Sequence, residues 1–533
     1  MCGIFFYKGK KIDANLVKNQ FEAIKHRGPD SSVAIEEKDR FIGFHRLAIN
    51  GLGEKGEQPF KYEKENGEIV YVICNGEIYN WWQLNERFKL GLEEDDSDCS
   101  VLYPLYEKFG LAKMVEMLDG VFAFLIIDGE NIMAARDPIG VRPLFWGKTG
   151  NEIGFCSEAK GLFHLMKVTP FPAGSYYEGD YPKKFFEIDE WRNSSPNPFL
   201  SLVGEKAMHK AIVQTLTEAV KKRMLSERPI GCLLSGGLDS SLVASILQRQ
   251  LGAKRLNTYS IGFKDSPDLL AARKVAEYIG SNHHEVELIW KDIEGRLPEI
   301  VRCLETFDTT TIRASVGMFF LSEYIRKNTE DIVIFSGEGA DELCQGYLYF
   351  HRQPSAIMGK LESYRLMNQL YMYDVLRADR TTANHGLELR VPFLDRNFMK
   401  LMVSLPEDKV APRKQIEKYI LRKAFAKTGL LPDEILWRTK EAFSDGVSSE
   451  KKNWIEKIKK MAKSYVDRSE LEMFQHVPPR TEEELYYRKI FEAFYGEGEQ
   501  WIPAFWMPKW SPETVDPSAR TLTIYKKESE ENA

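Results

Sequence analysis

Long apolar runs are missing from this 533-residue sequence, and so is any marked excess of one charge. No stretch approaches the roughly 20 apolar residues that a bilayer-spanning helix needs, and no signal peptide precedes residue 2, so neither a membrane nor a secretory route is expected. With 73 basic against 79 acidic side chains the net charge is −6, which argues against nucleic acid as a bulk partner. Only seven cysteines occur, an odd number without a C-x-x-C pair. That fits reduced thiols in the cytoplasm better than a disulfide framework. No internal repeat is visible, and the length suggests at least two domains.

What is present begins at the second residue. The chain opens Met1-Cys2-Gly3-Ile4. Methionine is usually removed when residue 2 is small, which would leave Cys2 carrying both a thiol and the chain's only α-amine. An α-amine has a pKa of about 7.7–8.0 and can act as a base near neutral pH. A thiolate is a strong nucleophile, so nucleophile and base would sit on one residue. A targeting sequence ahead of Cys2 would block it.

Downstream, His26-Arg27-Gly28-Pro29-Asp30, Phe44-His45-Arg46-Leu47-Ala48-Ile49, Asn75-Gly76-Glu77-Ile78-Tyr79-Asn80, Ser97-Asp98 and Asp119-Gly120-Val121-Phe122-Ala123-Phe124 follow in order. This series resembles the class II glutamine amidotransferases, which are N-terminal-nucleophile hydrolases. Residue chemistry fits glutamine hydrolysis. Arg46 is a bidentate partner for the substrate carboxylate and Asp98 can hold its ammonium. Asn75 offers a side-chain NH2 to an oxyanion, and Gly76 lets a backbone N–H approach it closely. Asn75-Gly76 also reads as a hairpin turn, because Val70-Tyr71-Val72-Ile73 before it reads as a strand. The resemblance implies a glutamine-binding set of Arg46, Leu47, Ala48, Ile49, Asn50, Asn75, Gly76, Glu77 and Asp98.

In the second half, the apolar run Pro229 to Leu234 reads as a buried strand feeding Ser235-Gly236-Gly237-Leu238-Asp239-Ser240-Ser241 and then a helical pattern. Strand, glycine-rich turn and helix N-terminus together form an anion site. It is not a Walker A loop, since Gly-Lys-Ser/Thr is absent at the required spacing. The string resembles the pyrophosphate loop of the N-type ATP pyrophosphatases, which split ATP between the α- and β-phosphates. A second acidic, glycine-rich loop, Phe335 to Glu342, follows Ile332-Val333-Ile334. Asp239 and Asp341 are the candidate Mg2+ ligands, because Mg2+ takes a few carboxylates plus phosphate oxygens. Ser266-Pro267 reads as a helix cap with proline at the first turn. The pair His283-His284 reads as structural rather than as a zinc site.

Thr309 to Ser315, Ser336 to Glu342, Arg390 to Asp395, Lys440 to Gly446, Trp506 to Trp510 and Asp516 to Leu522 together resemble the glutamine-hydrolysing asparagine synthetases, eukaryotic type. The resemblance runs from Cys2 to about Tyr525. It implies an α+β and α/β chain: an αββα N-terminal-nucleophile hydrolase sandwich over residues 2–195, then an α/β parallel-sheet ATP pyrophosphatase domain with added helices over 205–525. A charged, disordered tail is expected over 526–533. Leu234, Ser235, Gly236, Gly237, Leu238, Asp239, Ser240, Ile261, Ser336, Gly337 and Lys440 would bind ATP, and Thr310 and Arg313 would lie by the aspartyl-adenylate. Glu338 would handle the amine.

The implied chemistry uses aspartate, glutamine and ATP with Mg2+. Aspartate attacks the α-phosphate to give β-aspartyl-AMP and pyrophosphate, while Cys2 forms a glutamyl thioester and frees ammonia. Ammonia must arrive unprotonated, a need that a shielded passage with apolar walls answers. A homodimer is only what the family suggests. A phosphoribosyl or glucosamine-phosphate amidotransferase would share Cys2 but lack the Ser235 loop. A β-lactam synthetase-like enzyme would share the loop and lack the Cys2 set, and a non-catalytic scaffold would have no need of either.

Overall fold

The computed structural model describes residues 1–9, 13–37, 39–193, 204–440, 446–448, 454–512 and 514–518. Residues 192–198 are polar and broken by Pro196 and Pro198, which in sequence suggests a linker; most of them, the expected tail 526–533, residues 441–445 of the Lys440 motif and residues 519–522 lie outside the described residues. Two compact units emerge: residues 1–187 with 225–229 and 382–388, and residues 188–224, 230–381 and 389–533.

In the first unit, twelve strands alternate with short helices: β1 (Gly3–Lys8), β2 (Ser31–Glu36), β3 (Arg40–Arg46), β4 (Phe60–Glu63), β5 (Ile69–Ile78), β6 (Gly120–Asp128), β7 (Asn131–Arg136), β8 (Phe145–Thr149), β9 (Glu152–Cys156), β10 (Thr169–Pro170), β11 (Ser175–Glu178) and β12 (Lys183–Lys184). They form two antiparallel six-stranded sheets, ordered β10-β8-β9-β1-β3-β2 and β12-β11-β7-β6-β5-β4. Period-two alternation decides how these sheets stack. Ile73 on β5 and Ala123, Leu125 and Ile127 on β6 pack with Ile4 and Phe6 of β1 and Phe155 of β9, which joins the sheets face to face. The intervening residues Val72, Cys74, Phe122 and Phe124 turn the other way, onto helices Trp81–Phe88, Leu102–Phe109 and Leu111–Met117. On the far side, Phe5 packs its ring 5.9 Å from Phe21 of the helix Ala14–Glu22. Helices thus cover both outer faces, which is the αββα order.

The first domain was expected to run to residue 195. The helix Ile188–Asn193 instead packs against helices Ala356–Gln369 and Arg396–Ser404 and so belongs to the second unit.

In the second unit, β13 (Ile230–Leu233), β14 (Asn257–Gly262), β15 (Asn282–Glu287), β16 (Val333–Phe335) and β17 (Glu388–Arg390) make a sheet ordered β15-β14-β13-β16-β17, in which β15, β14, β13 and β16 run parallel. Successive strands step outward from β13 to β15, and the chain then returns to place β16 on β13's other side. The order therefore reverses between β13 and β16, and ligands of open α/β sheets bind outside the carboxyl ends of strands at such a reversal. The loops after β13 and β16 begin at Leu234 and Ser336, the two glycine-rich segments singled out in the sequence. Helix Pro267–Ile279 has its Ser266 cap, and added helices follow from residue 356. His283 bonds Thr258 and Ser260, whereas His284 stacks on Tyr259, so the two imidazoles serve different packing partners. Among the described residues no helix is long and apolar enough to cross a membrane.

Candidate functional site

The first unit gathers its predicted residues where β1 starts and β3 and β5 end. Gly3 pairs with His45, so Cys2 stands beside the segment that follows Arg46. The Leu47 N–H points at Cys2 Sγ from 3.4 Å, and the Cys2 N–H donates to Asn75 Oδ1 at 2.8 Å. Burial pushes the Cys2 thiol up to about 11, against the opposing pull of the nearby amine and the Leu47 N–H. With Met1 in place the Cys2 nitrogen is an amide, so the base expected there exists only once Met1 has gone.

Asn75 and Gly76 do not form the hairpin turn that their sequence also allowed. Both lie inside β5, in register with Ala123 and Phe122. Gly76 is required by its neighbour strand: a Cβ there would meet the Val121 carbonyl at 2.4 Å and Phe122 Cα at 2.7 Å. Asn75 is fully buried, and among the described residues its Nδ2 has no hydrogen-bond partner. Arg46, also buried, directs its fork at Glu57 (2.5 Å), the Gly53 carbonyl (3.3 Å) and the Gly51 carbonyl. Gly56 leaves it room, because a Cβ there would stand 2.3 Å from its guanidinium. Asn50 donates to Glu77 at 2.7 Å, Asp98 accepts from the Ile78 N–H at 2.6 Å, and Ala48 N–H donates to Asp30 at 2.9 Å. Leu47 and Ile49 are buried beside them.

The second unit holds a cavity of about 210 Å3 at the sheet's reversal. Its walls include Leu234, Ser235, Gly237, Leu238, Asp239, Ser240, Ile261, Thr310, Arg313, Ser336, Gly337, Glu338, Asp341 and Lys440. Of the residues expected here, Gly236 alone is not a wall residue. It has φ +72°, and a Cβ would stand 2.4 Å from the Ala272 nitrogen, so it packs the loop onto helix Pro267–Ile279. Gly337 brings the two loops together, since a Cβ there would lie 2.8 Å from the Ser240 nitrogen. Within the first loop, the Ser235 and Ser240 hydroxyls are 3.0 Å apart. Lys440 binds Asp341 at 2.6 Å.

Burial raises the Glu338 carboxyl, and the opposing cation is Arg377 at 2.9 Å. Desolvation also opposes ionisation of the half-buried Asp341, yet Lys418 and Lys440 hold it well below the usual carboxylate range. Arg313 reaches the wall with its guanidinium already committed: Glu483 accepts two bonds at 2.9 and 2.6 Å, and Asp516 two at 2.9 and 3.0 Å.

Comparison with known proteins decides the family. A glutamine amidotransferase domain matches residues 1–174, and an asparagine synthase family model matches residues 211–363 and 358–522. The asparagine synthetase [glutamine-hydrolyzing] of Rattus norvegicus is 45% identical over a 567-residue alignment that covers 99% of both chains. That of Gallus gallus is 45% identical and that of Homo sapiens 44%, each with the same coverage. The chain belongs to the glutamine-hydrolysing asparagine synthetases. It is a carbon–nitrogen ligase, and its reaction is ATP-using, glutamine-dependent asparagine synthesis.

For an asparagine synthetase, two further residues stand out that the sequence reading quoted without a role or passed over, Arg27 and Lys418. Arg27, fully buried, donates from Nε to the Cys2 carbonyl at 3.0 Å and from a terminal nitrogen to Glu158 at 2.6 Å. Arg27 lay inside a quoted motif, but nothing in the sequence linked it to Glu158. Lys418, its side chain 1% exposed, bridges Asp239 and Asp341, the latter at 2.6 Å. No spacing signal joins Lys418 to either loop.

Proposed function

We propose that the asparagine synthetase reaction is divided between the two units, with glutamine hydrolysed at Cys2 and aspartate adenylated in the cavity between the Ser235 and Ser336 loops. The domain limits follow: an amidotransferase domain ending near residue 187 and a synthetase domain beginning with the helix at 188.

In the first step Cys2, freed of Met1, attacks the glutamine amide with its own amine as base. Asn75 carries this reading. Its Oδ1 is held by the Cys2 N–H, and its buried Nδ2 is left without a partner among the described residues, a donor ready for the oxyanion. Arg46 takes the substrate carboxylate in place of Glu57, and Asp98 takes the ammonium. Arg27 fixes the Cys2 carbonyl, so the nucleophile is positioned from three sides.

In the second step the aspartate carboxylate attacks the α-phosphate of ATP, giving β-aspartyl-AMP and pyrophosphate. Backbone N–H groups of the Ser235 loop cradle phosphate, while Lys418 and Lys440 face the negative charge of the leaving group. Among the described residues no group of three or more His, Cys, Asp or Glu is assembled as a metal cage. Mg2+ does not need one, since one or two carboxylates and phosphate oxygens suffice. Asp239 and Asp341 fit that demand: both are joined to Lys418, and Asp239 Oδ1 is a buried atom with no hydrogen-bond partner among the described residues. Bound there, Mg2+ would neutralise charge on the phosphates. Glu338, raised by burial, would take the proton from the attacking ammonia, and AMP would leave.

Seven free cysteines fit a reducing, cytoplasmic setting. Homodimer formation belongs to the same reading and rests on the family alone.

The test is asparagine and pyrophosphate formation from aspartate and Mg-ATP with glutamine or ammonium, comparing wild type with Cys2→Ala. The variant should lose the glutamine reaction and keep the ammonium reaction. Normal use of glutamine by Cys2→Ala would remove the nucleophile from the scheme.

A further inference from the structure

Residues 502–512 and 514–518 lie across the helices of the second unit and form part of the adenylation cavity's wall through Trp506, Pro508, Pro517 and Ser518. Two anchors hold this segment. At the first, the Trp506 N–H donates to Asp308 at 2.7 Å, and the Trp506 ring packs 5.3 Å from that of Tyr347. At the second, Asp516 receives both terminal nitrogens of Arg313, at 2.9 and 3.0 Å, and binds Lys459 at 2.9 Å. Burial pushes the Asp516 carboxyl up, but the Arg313 and Lys459 contacts outweigh it and hold it well below the usual range. The anchor is an ion pair, with Asp516 held between two cations. Glu483 holds the remaining side of Arg313 and is itself bonded by Tyr487 at 3.0 Å, so Arg313 is a rigid post rather than a free cation.

We infer that Asp516 is a positioning residue that closes this wall by docking on Arg313, and that the closed wall keeps water off the aspartyl-adenylate until ammonia arrives. The inference rests on the reading of the cavity as the adenylation site. Its chemistry is a competition for one carbonyl carbon. Ammonia attack breaks the acyl–oxygen bond to AMP and yields asparagine. Water attack breaks the same bond, expels AMP, returns aspartate and releases a proton, so ATP is consumed with no asparagine made.

Asp516→Asn removes the charge that pairs with Arg313 and keeps the side chain's size. The readout is the ratio of pyrophosphate released to asparagine formed with ammonium as nitrogen source. Glutamine hydrolysis at Cys2 and thermal unfolding are followed alongside to confirm that the variant folds. The ratio should rise several-fold above that of wild type, and Asp516→Glu should bring it back toward wild type. An unchanged ratio overturns the inference, whether asparagine is formed normally or both products fall in parallel, since a merely structural defect lowers both together. Asp239→Asn separates the two readings. If it still releases pyrophosphate normally, the adenylation assignment of the cavity fails. If it does not, and Asp516→Asn keeps the wild-type ratio, the wall inference fails alone.

Discussion

The Cys2 N–H donates to Asn75 Oδ1 at 2.8 Å, and this one bond settles the direction of the Asn75 amide. An acceptor must face Cys2, so the NH2 group has to face the other way. There it is buried and has no partner among the described residues, a costly arrangement that a developing oxyanion would relieve.

Asn75→Ala should therefore lower glutamine-dependent kcat by roughly 100- to 1000-fold, the usual effect of losing one oxyanion donor. KM for glutamine should move little, and ammonium-dependent synthesis should be unchanged. Steady-state kinetics with both nitrogen sources decides this. A large rise in KM at constant kcat would instead make Asn75 a ground-state ligand.

Arg46→Lys should raise KM for glutamine. A lysine keeps the charge but loses the planar fork, and Arg46 is buried with its fork spread over Glu57, Gly51 and Gly53. A loss of roughly 10- to 100-fold in kcat/KM for glutamine is expected from a charge-assisted bond of about 1.5–3 kcal/mol. Wild-type kinetics for Arg46→Lys would place the substrate carboxylate elsewhere.

Lys418→Met should abolish pyrophosphate release. It leaves Asp239 and Asp341 facing each other in a buried site, and removing one partner of a buried ion pair costs about 3–5 kcal/mol. Lys418→Arg should not restore activity, because the Lys418 chain runs against Gly346 so closely that a Cβ there would stand 2.0 Å from Lys418 Cε. Full activity of Lys418→Arg would show that charge alone matters.

Stability should depend on pH through Asp395. Burial opposes ionisation of its carboxyl, yet Arg223 at 2.6 Å and Lys222 at 2.5 Å bring it down to about 2. The folded value lies below the unfolded one of about 3.9, so the stabilisation is present above that value and is lost as pH falls through about 2. Asp395→Asn should cost about 2 kcal/mol near pH 7, and the difference from wild type should shrink steadily below pH 4. Denaturant unfolding across that range is the measurement, and a pH-independent difference would mean that capping of helix Arg396–Ser404 dominates instead.

Short-range order made much of this legible. Cys2 is marked by its position, and the Ser235 loop is a strand, a turn and a helix start in immediate succession, so its anion-binding geometry follows from neighbours along the chain. Where two local readings competed, the sequence could not choose: Asn75-Gly76 suits a hairpin turn, but nine residues of pairing with β6, from Val70 to Ile78, keep it inside a strand. The end of the first unit has a similar cause, because the allegiance of the helix Ile188–Asn193 depends on partners far along the chain.

By itself, then, the sequence determined the family, and the nucleophile and phosphate loop proposed for it are each written in contiguous residues. Only the tertiary structure decided who neutralises whom. Lys418 reaches Asp239 across 179 positions, Arg27 reaches Glu158 across 131, and Arg313 spends its guanidinium on Glu483 and Asp516, 170 and 203 residues away. Periodicity and capping act over a few residues and carry no record of such pairs. A buried charge must find its counter-ion wherever packing brings one, and packing is a property of the folded whole.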